Sequence, residues 1–255
     1  MFLNRAECVT HYIDIHVHIL PGMDDGPSTL QESLEMARIA VRDGIRIMVA
    51  TPHCLNGLYV NWRSDILSAC AEFNSVLKKR HILLTVLPGS EIYLSPEIIE
   101  ALENGLLMTL NDTGQYFLLE LPHQFIPEPL IGLINRLNRR KIIPVIVHPE
   151  RNITIQRNVA LLYDFISAGA LVQITAGSLT GNFGRSAFKC CQRILELKMA
   201  HFMASDAHSS GARSPKLSEA FIKLSSMVGK VCAERIMFED TEAVLEGRKF
   251  SAHFS

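Results

Sequence analysis

Short apolar runs alternate along the chain with longer segments in which apolar residues recur every three or four positions. The short runs, such as IIPVIV at 142–147, are almost continuously apolar, which is typical of strands buried on both faces of a parallel sheet. Seven strands are predicted, at residues 12–16, 46–50, 83–87, 116–120, 142–147, 171–175 and 201–204.

The segments between these runs carry residues that begin and end helices. Thr29 is followed three residues later by Glu32, which predicts a capping box, and Gly44 ends the same segment. Ser95 predicts a second N-cap, with Pro96 at the first helical position. Further helices are predicted at residues 62–79, 129–140, 159–168, 186–197 and 215–228.

Strands that alternate with helices predict right-handed βαβ crossovers, and therefore an α/β fold with parallel strands. A chain of 255 residues is long enough to close such units into a TIM-like barrel. No linker, repeat or low-complexity segment interrupts the alternation, so we predict one domain.

Composition excludes some classes of function. The net charge of −1 argues against binding of nucleic acid or a membrane surface through bulk charge. No apolar run reaches the roughly 18 residues of a transmembrane helix, and the first residues lack the apolar region of a signal peptide. We therefore expect a cytoplasmic protein.

The six cysteines form no CxxC pair and no regular framework, so we expect reduced thiols. Phosphatases that use a cysteine nucleophile place an arginine six residues after it. None of the six cysteines has an arginine at that offset, which excludes this chemistry.

Imidazoles and carboxylates stand at the carboxyl ends of six of the seven predicted strands. His16 and His18 end the first strand and share one face, because side chains alternate along a strand. Asp24 and Asp25 follow in the first loop, and the spacing does not decide between them. The remaining candidates, in chain order, are His53, Glu91, Glu120, His148, Asp206 and His208.

In a parallel barrel the carboxyl ends of the strands converge on one rim, so these side chains are expected to meet. A single histidine at a strand end is more often structural than a ligand, but recurrence at six ends favours a site. Clustered carboxylates without cations repel one another. The sequence therefore predicts a centre for divalent ions such as Mn, Zn or Fe.

The motifs DIHVHILPGMDDGP, ATPH, GSEIY, HPER and ASDAH resemble the PHP (polymerase and histidinol phosphatase) superfamily. The segments HILPGMDDGP and HPER are more similar to its bacterial branch of manganese-dependent protein-tyrosine phosphatases, which act on tyrosine autokinases of capsule and exopolysaccharide synthesis. The resemblance runs in order from Ile13 to about Arg213.

This resemblance implies a distorted seven-stranded barrel over residues 12–255. Residues 1–11 depart from it, because they precede the strand where members of the family commonly begin; we expect a flexible extension or an artefact of the chosen start site. It implies three divalent ions, usually Mn, with Fe, Zn, Mg or Co as alternatives. Of the two aspartates in the first loop, the family motif uses the second, Asp25. The implied ligand sets are His16, His18, Glu91 and Asp206 for one ion; Glu91, Glu120 and His148 for a second; and Asp25, His53 and His208 for the third.

The resemblance also implies that Arg151 and Arg213 contact phosphate, the alternatives being surface arginines or structural ion pairs. The implied reaction is attack of a metal-bound hydroxide on the phosphorus of a phosphotyrosine protein, which we expect to be a membrane-associated autokinase. Tyr59 and Trp62 are candidates to stack on the substrate ring, or else core residues.

Three other functions fit the same residues. One is a phosphatase for a small metabolite such as histidinol phosphate, and another is a metal-dependent amide or nucleic-acid hydrolase. The third, from a different class, is a metal-binding partner protein without catalysis.

Overall fold

The strands of the computed structural model, which describes residues 11–248, run parallel to their neighbours. They are β1 (Tyr12–Val17), β2 (Ile45–Ala50), β3 (His53–Cys54), β4 (Thr85–Pro88), β5 (Glu91–Tyr93), β6 (Tyr116–Glu120), β7 (Ile143–Val147), β8 (Leu171–Thr175) and β9 (Phe202–Ala204). One sheet has the order β1-β2-β4 and the other β3-β5-β6-β7-β8-β9. A bridge between Val17 and Ala207 joins β1 to the chain after β9. An α/β fold with parallel strands is confirmed.

Helices follow most of the strands, as predicted. They are α1 (Leu30–Asp43), α2 (Arg63–Lys79), α3 (Ile98–Glu103), α4 (Leu130–Arg139), α5 (Ile153–Arg157), α6 (Leu161–Ser167), α7 (Ala176–Thr180), α8 (Gly184–Glu196), α9 (Ser218–Val228), α10 (Lys230–Glu234) and α11 (Asp240–Leu245). The N-cap half of the predicted capping box forms, since Thr29 Oγ1 accepts from the Glu32 amide at 3.3 Å, and Gly44 ends α1 with φ 99°. The prediction of Pro96 as the first residue of α3 is wrong, because α3 begins at Ile98.

The predicted extension at 1–11 lies outside the described residues except for His11, and so does the end of the chain after 248. Within the described part, no helix combines the length and the apolar character needed to cross a membrane.

Two clusters of buried side chains lie on opposite faces of the strands. In β6, Tyr116 and Leu118 belong to the smaller cluster, whereas Phe117 and Leu119 belong to the larger one, which includes the helices. The smaller cluster takes members from both sheets, such as Val49 of β2. The two sheets therefore surround a common interior, and both faces of the strands are buried, as the apolar runs predict.

Strand β1 changes face just before the candidate histidines. Ile13 and Ile15 belong to the interior cluster, but Val17 belongs to the outer one. A register shift between Asp14 and Val17 in the pairing of β1 with β2 accounts for the change. It turns even-numbered residues inward after Ile15, which brings His16 to the interior side.

The short strands β3 and β5, which the sequence pattern did not predict, follow β2 and β4 in the chain after short gaps. Pro52 lies in the first gap and has no amide hydrogen for the ladder, although its carbonyl accepts from the Glu91 amide at 3.2 Å. Gly89 lies in the second gap. A Cβ atom there would lie 2.5 Å from Val49 Cγ1, so the strands approach too closely for any side chain.

Replacing Gly89 with alanine is expected to destabilise the protein by about 1–3 kcal/mol, because the added methyl overpacks the interior against Val49. The matched control is Gly132→Ala in α4, where a Cβ atom meets nothing within 4 Å. Relief of the helix penalty of glycine should raise stability there by roughly 0.5–1 kcal/mol. Urea unfolding measures both, and equal effects of the two substitutions would contradict the packing argument.

His201 gives the fold a specific response to acid. It is buried, its Nδ1 accepts from the Val172 amide at 3.1 Å, and burial lowers its pKa to about 4. Because the folded-state pKa lies below the ordinary value of about 6.5, its contribution to stability is present above pH 6.5 and is lost as pH falls toward 4.

We therefore expect His201→Asn, which keeps an acceptor near Nδ1, to flatten the loss of stability between pH 6.5 and 4. Urea unfolding with chelator at several pH values would measure the slope for both proteins. An unchanged slope would show that His201 does not titrate on unfolding.

Candidate metal centre

The nine predicted ligand residues form one connected cluster at the carboxyl ends of the strands. Three compact groups occur in it, in each of which one ligand atom per residue lies within 4.8 Å of the others: His16, His18 and Glu91; His18, Asp25, His53 and His208; and His53, Glu91 and Glu120. His148 and Asp206 complete the cluster through contacts with Glu91 and His16.

Glu91 stands at the centre of the cluster and is 1% exposed. Its Oε2 lies 3.3 Å from His16 Nε2, 3.2 Å from His18 Nε2 and 3.1 Å from His53 Nδ1. Its Oε1 lies 2.7 Å from His148 Nε2. Four imidazoles, two of them from the end of β1, therefore converge on one carboxylate.

Two polar side chains orient the first pair of imidazoles. Gln173 Oε1 lies 2.8 Å from His16 Nδ1, and Asp24 Oδ2 lies 2.6 Å from His18 Nδ1. With the protons on Nδ1, each ring presents the lone pair of Nε2 toward Glu91. Gln173 was not among the predicted residues, although a polar residue inside the apolar run LVQIT is its signal.

The structure separates the roles of the two adjacent aspartates. The Asp24 side chain is 2% exposed and accepts from the amides of Gly26 and His53 as well as contacting His18. The Asp25 side chain is 51% exposed, and its Oδ1 lies 3.4 Å from Nε2 of both His53 and His208. Asp24 therefore orients His18 through its Nδ1, while Asp25 faces the candidate ligands His53 and His208.

Asp206 links the imidazoles to the two predicted arginines. Its Oδ1 lies 3.5 Å from His16 Nε2 and 3.6 Å from His18 Nε2. Its Oδ2 accepts from Arg151 Nη1 at 2.6 Å and from Arg213 Nη2 at 2.8 Å. The arginines therefore lie at the edge of the cluster, each anchored to the same carboxylate oxygen.

Two of the strand-end residues adopt backbone conformations that favour glycine. His148 has φ 36° and Asp206 has φ 52°. Each is held by a backbone hydrogen bond, from the His148 amide to the Gln173 carbonyl at 2.8 Å and from the Asp206 amide to the His16 carbonyl at 2.9 Å. Such strain persists only where surrounding structure maintains it, and it clusters at functional sites.

The proton affinities of the cluster are strongly perturbed. Burial opposes protonation of His18, but Asp24 and Glu91 outweigh it and raise its pKa to about 10. Burial, together with the charge of Glu91, raises the pKa of Glu120 to about 7. Burial and the neighbouring Arg151 lower the pKa of His148 to about 3. The clustered carboxylates are stabilised by nearby positive charge. Without metal ions, protonation of groups such as His18 and Glu120 supplies that charge or removes the negative charge.

The residues present fit divalent metal ions. Asp206 Oδ1 and His53 Nδ1 are buried without a hydrogen-bond partner in the described part of the chain. Uncompensated buried polar atoms are costly, and a cation bound beside each of them would satisfy it. Imidazole nitrogen and carboxylate oxygen together suit Mn, Fe or Zn.

The aromatic candidates separate into two roles. Trp62 packs against the large hydrophobic cluster, which supports the core interpretation for that residue. Tyr59 instead stacks on His53, with ring centroids 6.2 Å apart and an angle of 12° between the planes. Tyr59 therefore lies beside the cluster of ligands.

The cysteines of the described chain are free, as predicted. Burial raises the pKa of the Cys70 thiol to about 12, and burial with Glu150 does the same for Cys190. Raised values are the opposite of what a thiolate nucleophile needs, so the exclusion of cysteine chemistry is consistent with the structure.

Known proteins resemble the chain over most of its length. Tyrosine-protein phosphatase YwqE from Bacillus subtilis is 44% identical over 217 residues, 85% of each chain. Tyrosine-protein phosphatase CpsB from Streptococcus agalactiae serotype III (strain NEM316) is 30% identical over 239 residues, 92% of this chain and 98% of CpsB.

Solved structures resemble the fold. A crystal structure from a study of YwqE from Bacillus subtilis and CpsB from Streptococcus pneumoniae, described there as unique metal-dependent tyrosine phosphatases, superposes with a TM-score of 0.90 at 41% identity, covering 94% of this chain and 96% of that one. A β-aspartyl dipeptidase from Fervidobacterium islandicum, at 14% identity and a TM-score of 0.55, covers 95% of this chain and 75% of its own, and shares the fold alone.

A family model for capsular polysaccharide synthesis proteins, CpsB/CapC, matches residues 12–246. The match spans every strand described above and confirms the predicted resemblance to the tyrosine-phosphatase branch. The chain belongs to the CpsB/CapC family of capsular polysaccharide synthesis.

Proposed function

We propose that the chain is a metal-dependent protein-tyrosine phosphatase whose substrate is a tyrosine autokinase of capsule or exopolysaccharide synthesis. The observation that carries the proposal is the position of Asp206, which faces His16 and His18 with one oxygen and holds Arg151 and Arg213 with the other. Ligands for metal and ligands for phosphate thus meet at one carboxylate. The names of the relatives YwqE and CpsB support the same activity.

The architecture proposed for this function is a distorted seven-stranded barrel. If β3 continues β2 and β5 continues β4, the nine strands reduce to seven. The bridge between Val17 and Ala207 supports closure of the barrel between the first and the last. Residues from all but one of the seven lines then supply ligands to one rim.

Three divalent ions, Mn in the first instance, are proposed for the centre. The group of His16, His18 and Glu91, with Asp206 beside it, supports the first ligand set. The group of Asp25, His53 and His208 supports the third. Support for the second is divided, because Glu120 groups with Glu91 and His53 while His148 contacts Glu91 through the other oxygen.

The chain's own residues bind and orient the phosphoryl group. Arg151 and Arg213 have buried Nε–H groups without a partner among the described residues, and a guanidinium fork matches phosphate oxygens. Asp206 fixes the Nη atoms of both, so the forks are ordered before substrate arrives. When bound, the metal ions supply water of lowered pKa and positive charge against the phosphate dianion. A tyrosine leaving group has a pKa near 10, so it needs little help from a proton donor.

The proposal is tested with phosphotyrosine peptide and histidinol phosphate as alternative substrates of the manganese-loaded chain. We expect preferential turnover of the peptide. Preferential turnover of histidinol phosphate would instead favour a small-metabolite phosphatase. Failure to hydrolyse either of them, or p-nitrophenyl phosphate, would leave the non-catalytic metal-binding protein as the better account.

A further inference from the structure

An aromatic ring lies against both of the arginines proposed to bind phosphate. The ring centroid of Phe183 lies 4.9 Å from Arg151 Cζ and 5.6 Å from Arg213 Cζ. Phe183 is half-buried and precedes α8 in the short loop after α7. Neither the motif pattern nor the ligand geometry accounts for an aromatic residue at this point.

The Phe183 ring packs against the backbone of Gly177, where a side chain would not fit beside it. A Cβ atom on Gly177 of α7 would lie 2.7 Å from Phe183 Cε2 and 3.0 Å from Cδ2. The Asn182 amide donates to the Gly177 carbonyl at 2.8 Å, which fixes the loop over the glycine. The position of the Phe183 ring therefore depends on the absence of a side chain at residue 177.

The helix under the ring is tied to the turn that carries Arg151. Buried Glu150 precedes that arginine, and its Oε1 accepts from the Thr175 amide at 2.9 Å and from Ser178 Oγ at 2.7 Å. The turn of Arg151 and the start of α7 are thereby held at a constant separation. A ring carried by the following loop meets the guanidinium in a defined place.

Each guanidinium is thus confined by two different partners. Asp206 Oδ2 accepts from an Nη group of each, and the ring of Phe183 lies under the Cζ atom of each. A cation over an aromatic face is attracted by the ring quadrupole, and arginine side chains are otherwise rich in rotamers. Confinement leaves the buried Nε–H groups of Arg151 and Arg213 free to donate to an incoming anion.

We propose that Phe183 is a positioning residue that orders Arg151 and Arg213 together for binding of the phosphoryl group. The inference rests on the proposed function of those arginines as phosphate ligands. In this role the ring of Phe183 contacts the arginines and not the candidate metal ligands. Loss of the ring should therefore weaken phosphate binding and leave metal binding intact.

The test compares Phe183→Leu, Phe183→Tyr and Gly177→Ala in the manganese-loaded chain. Phe183→Leu should lower kcat/KM for phosphotyrosine peptide roughly 5- to 30-fold and raise the Kd of inorganic phosphate similarly, with unchanged metal content. Phe183→Tyr, which keeps the ring, should restore most of the loss. Gly177→Ala, which displaces the ring, should reproduce it.

The matched control is Phe188→Leu, a half-buried phenylalanine in α8 that has no arginine over its ring within the described chain. Equal phosphate affinity in Phe183→Leu and Phe188→Leu would overturn the inference, as would a loss that follows metal content or melting temperature. A wild-type chain that binds phosphate without hydrolysing phosphotyrosine would overturn the proposed function instead, and the phosphate affinities alone would then decide the role of Phe183.

Discussion

Replacing Asp206 with asparagine is expected to lower kcat/KM for phosphotyrosine peptide by at least about a thousandfold. Both oxygens of this carboxylate are used, one toward His16 and His18 and the other by Arg151 and Arg213. The substitution removes the negative charge that both sets of neighbours require. Asparagine is the informative replacement, because it tolerates the backbone φ of 52° better than alanine does.

Steady-state kinetics with metal analysis measures this effect. Asp164→Asn, an exposed carboxylate in α6, provides a control of the same chemistry and should keep full activity. Near-normal turnover by a folded Asp206→Asn protein would refute the assignment of Asp206 to both metal and arginines. A protein that retains metal but loses phosphate affinity would restrict its role to the arginines.

Removal of metal ions by a chelator is expected to abolish turnover and to lower the melting temperature by at least about 5 °C. The physical reason is the concentration of buried carboxylates, with Glu91 1% and Asp206 1% exposed, whose charges lose their compensating cations. Excess Mn²⁺ should restore both properties.

Calorimetry and assays on the same samples provide the measurement. The Asp206→Asn protein should show a smaller shift in melting temperature on chelation, because one ligand is already lost. Unchanged activity and unchanged melting temperature after complete removal of metal from the wild type would rule out the metal centre as the site of reaction.

Most of the predicted strands match strands of the structure, because a strand buried on both faces is a nearly continuous apolar run in the sequence. The run at 116–120 coincides with β6 and that at 171–175 with β8. The two strands that escaped prediction, His53–Cys54 and Glu91–Tyr93, are too short for periodicity to register. Their formation depends on pairing of β3 with β5 and of β5 with β6, which are distant in the chain.

The clustering of the proposed ligand residues was predictable for a related reason. In parallel strands the carboxyl ends share one edge. A polar residue that ends an apolar run is therefore expected at that edge, beside the others. Residues that orient the candidate ligands or the arginines are harder to predict from the sequence. Gln173 lies inside a strand and Phe183 inside a loop, and each is defined by partners distant in sequence.

From its sequence alone, the chain specified an α/β architecture, the residues at its strand ends and the family to which it belongs. Only the folded chain placed Asp24 against His18 and Asp25 against His53, turned His16 inward through the shift in β1 and brought both arginines to one oxygen of Asp206. The local pattern of apolar and polar residues indicates which residues are buried and which end a strand. Choice of hydrogen-bond partner depends on distances between segments far apart in the chain, and no local pattern contains those distances.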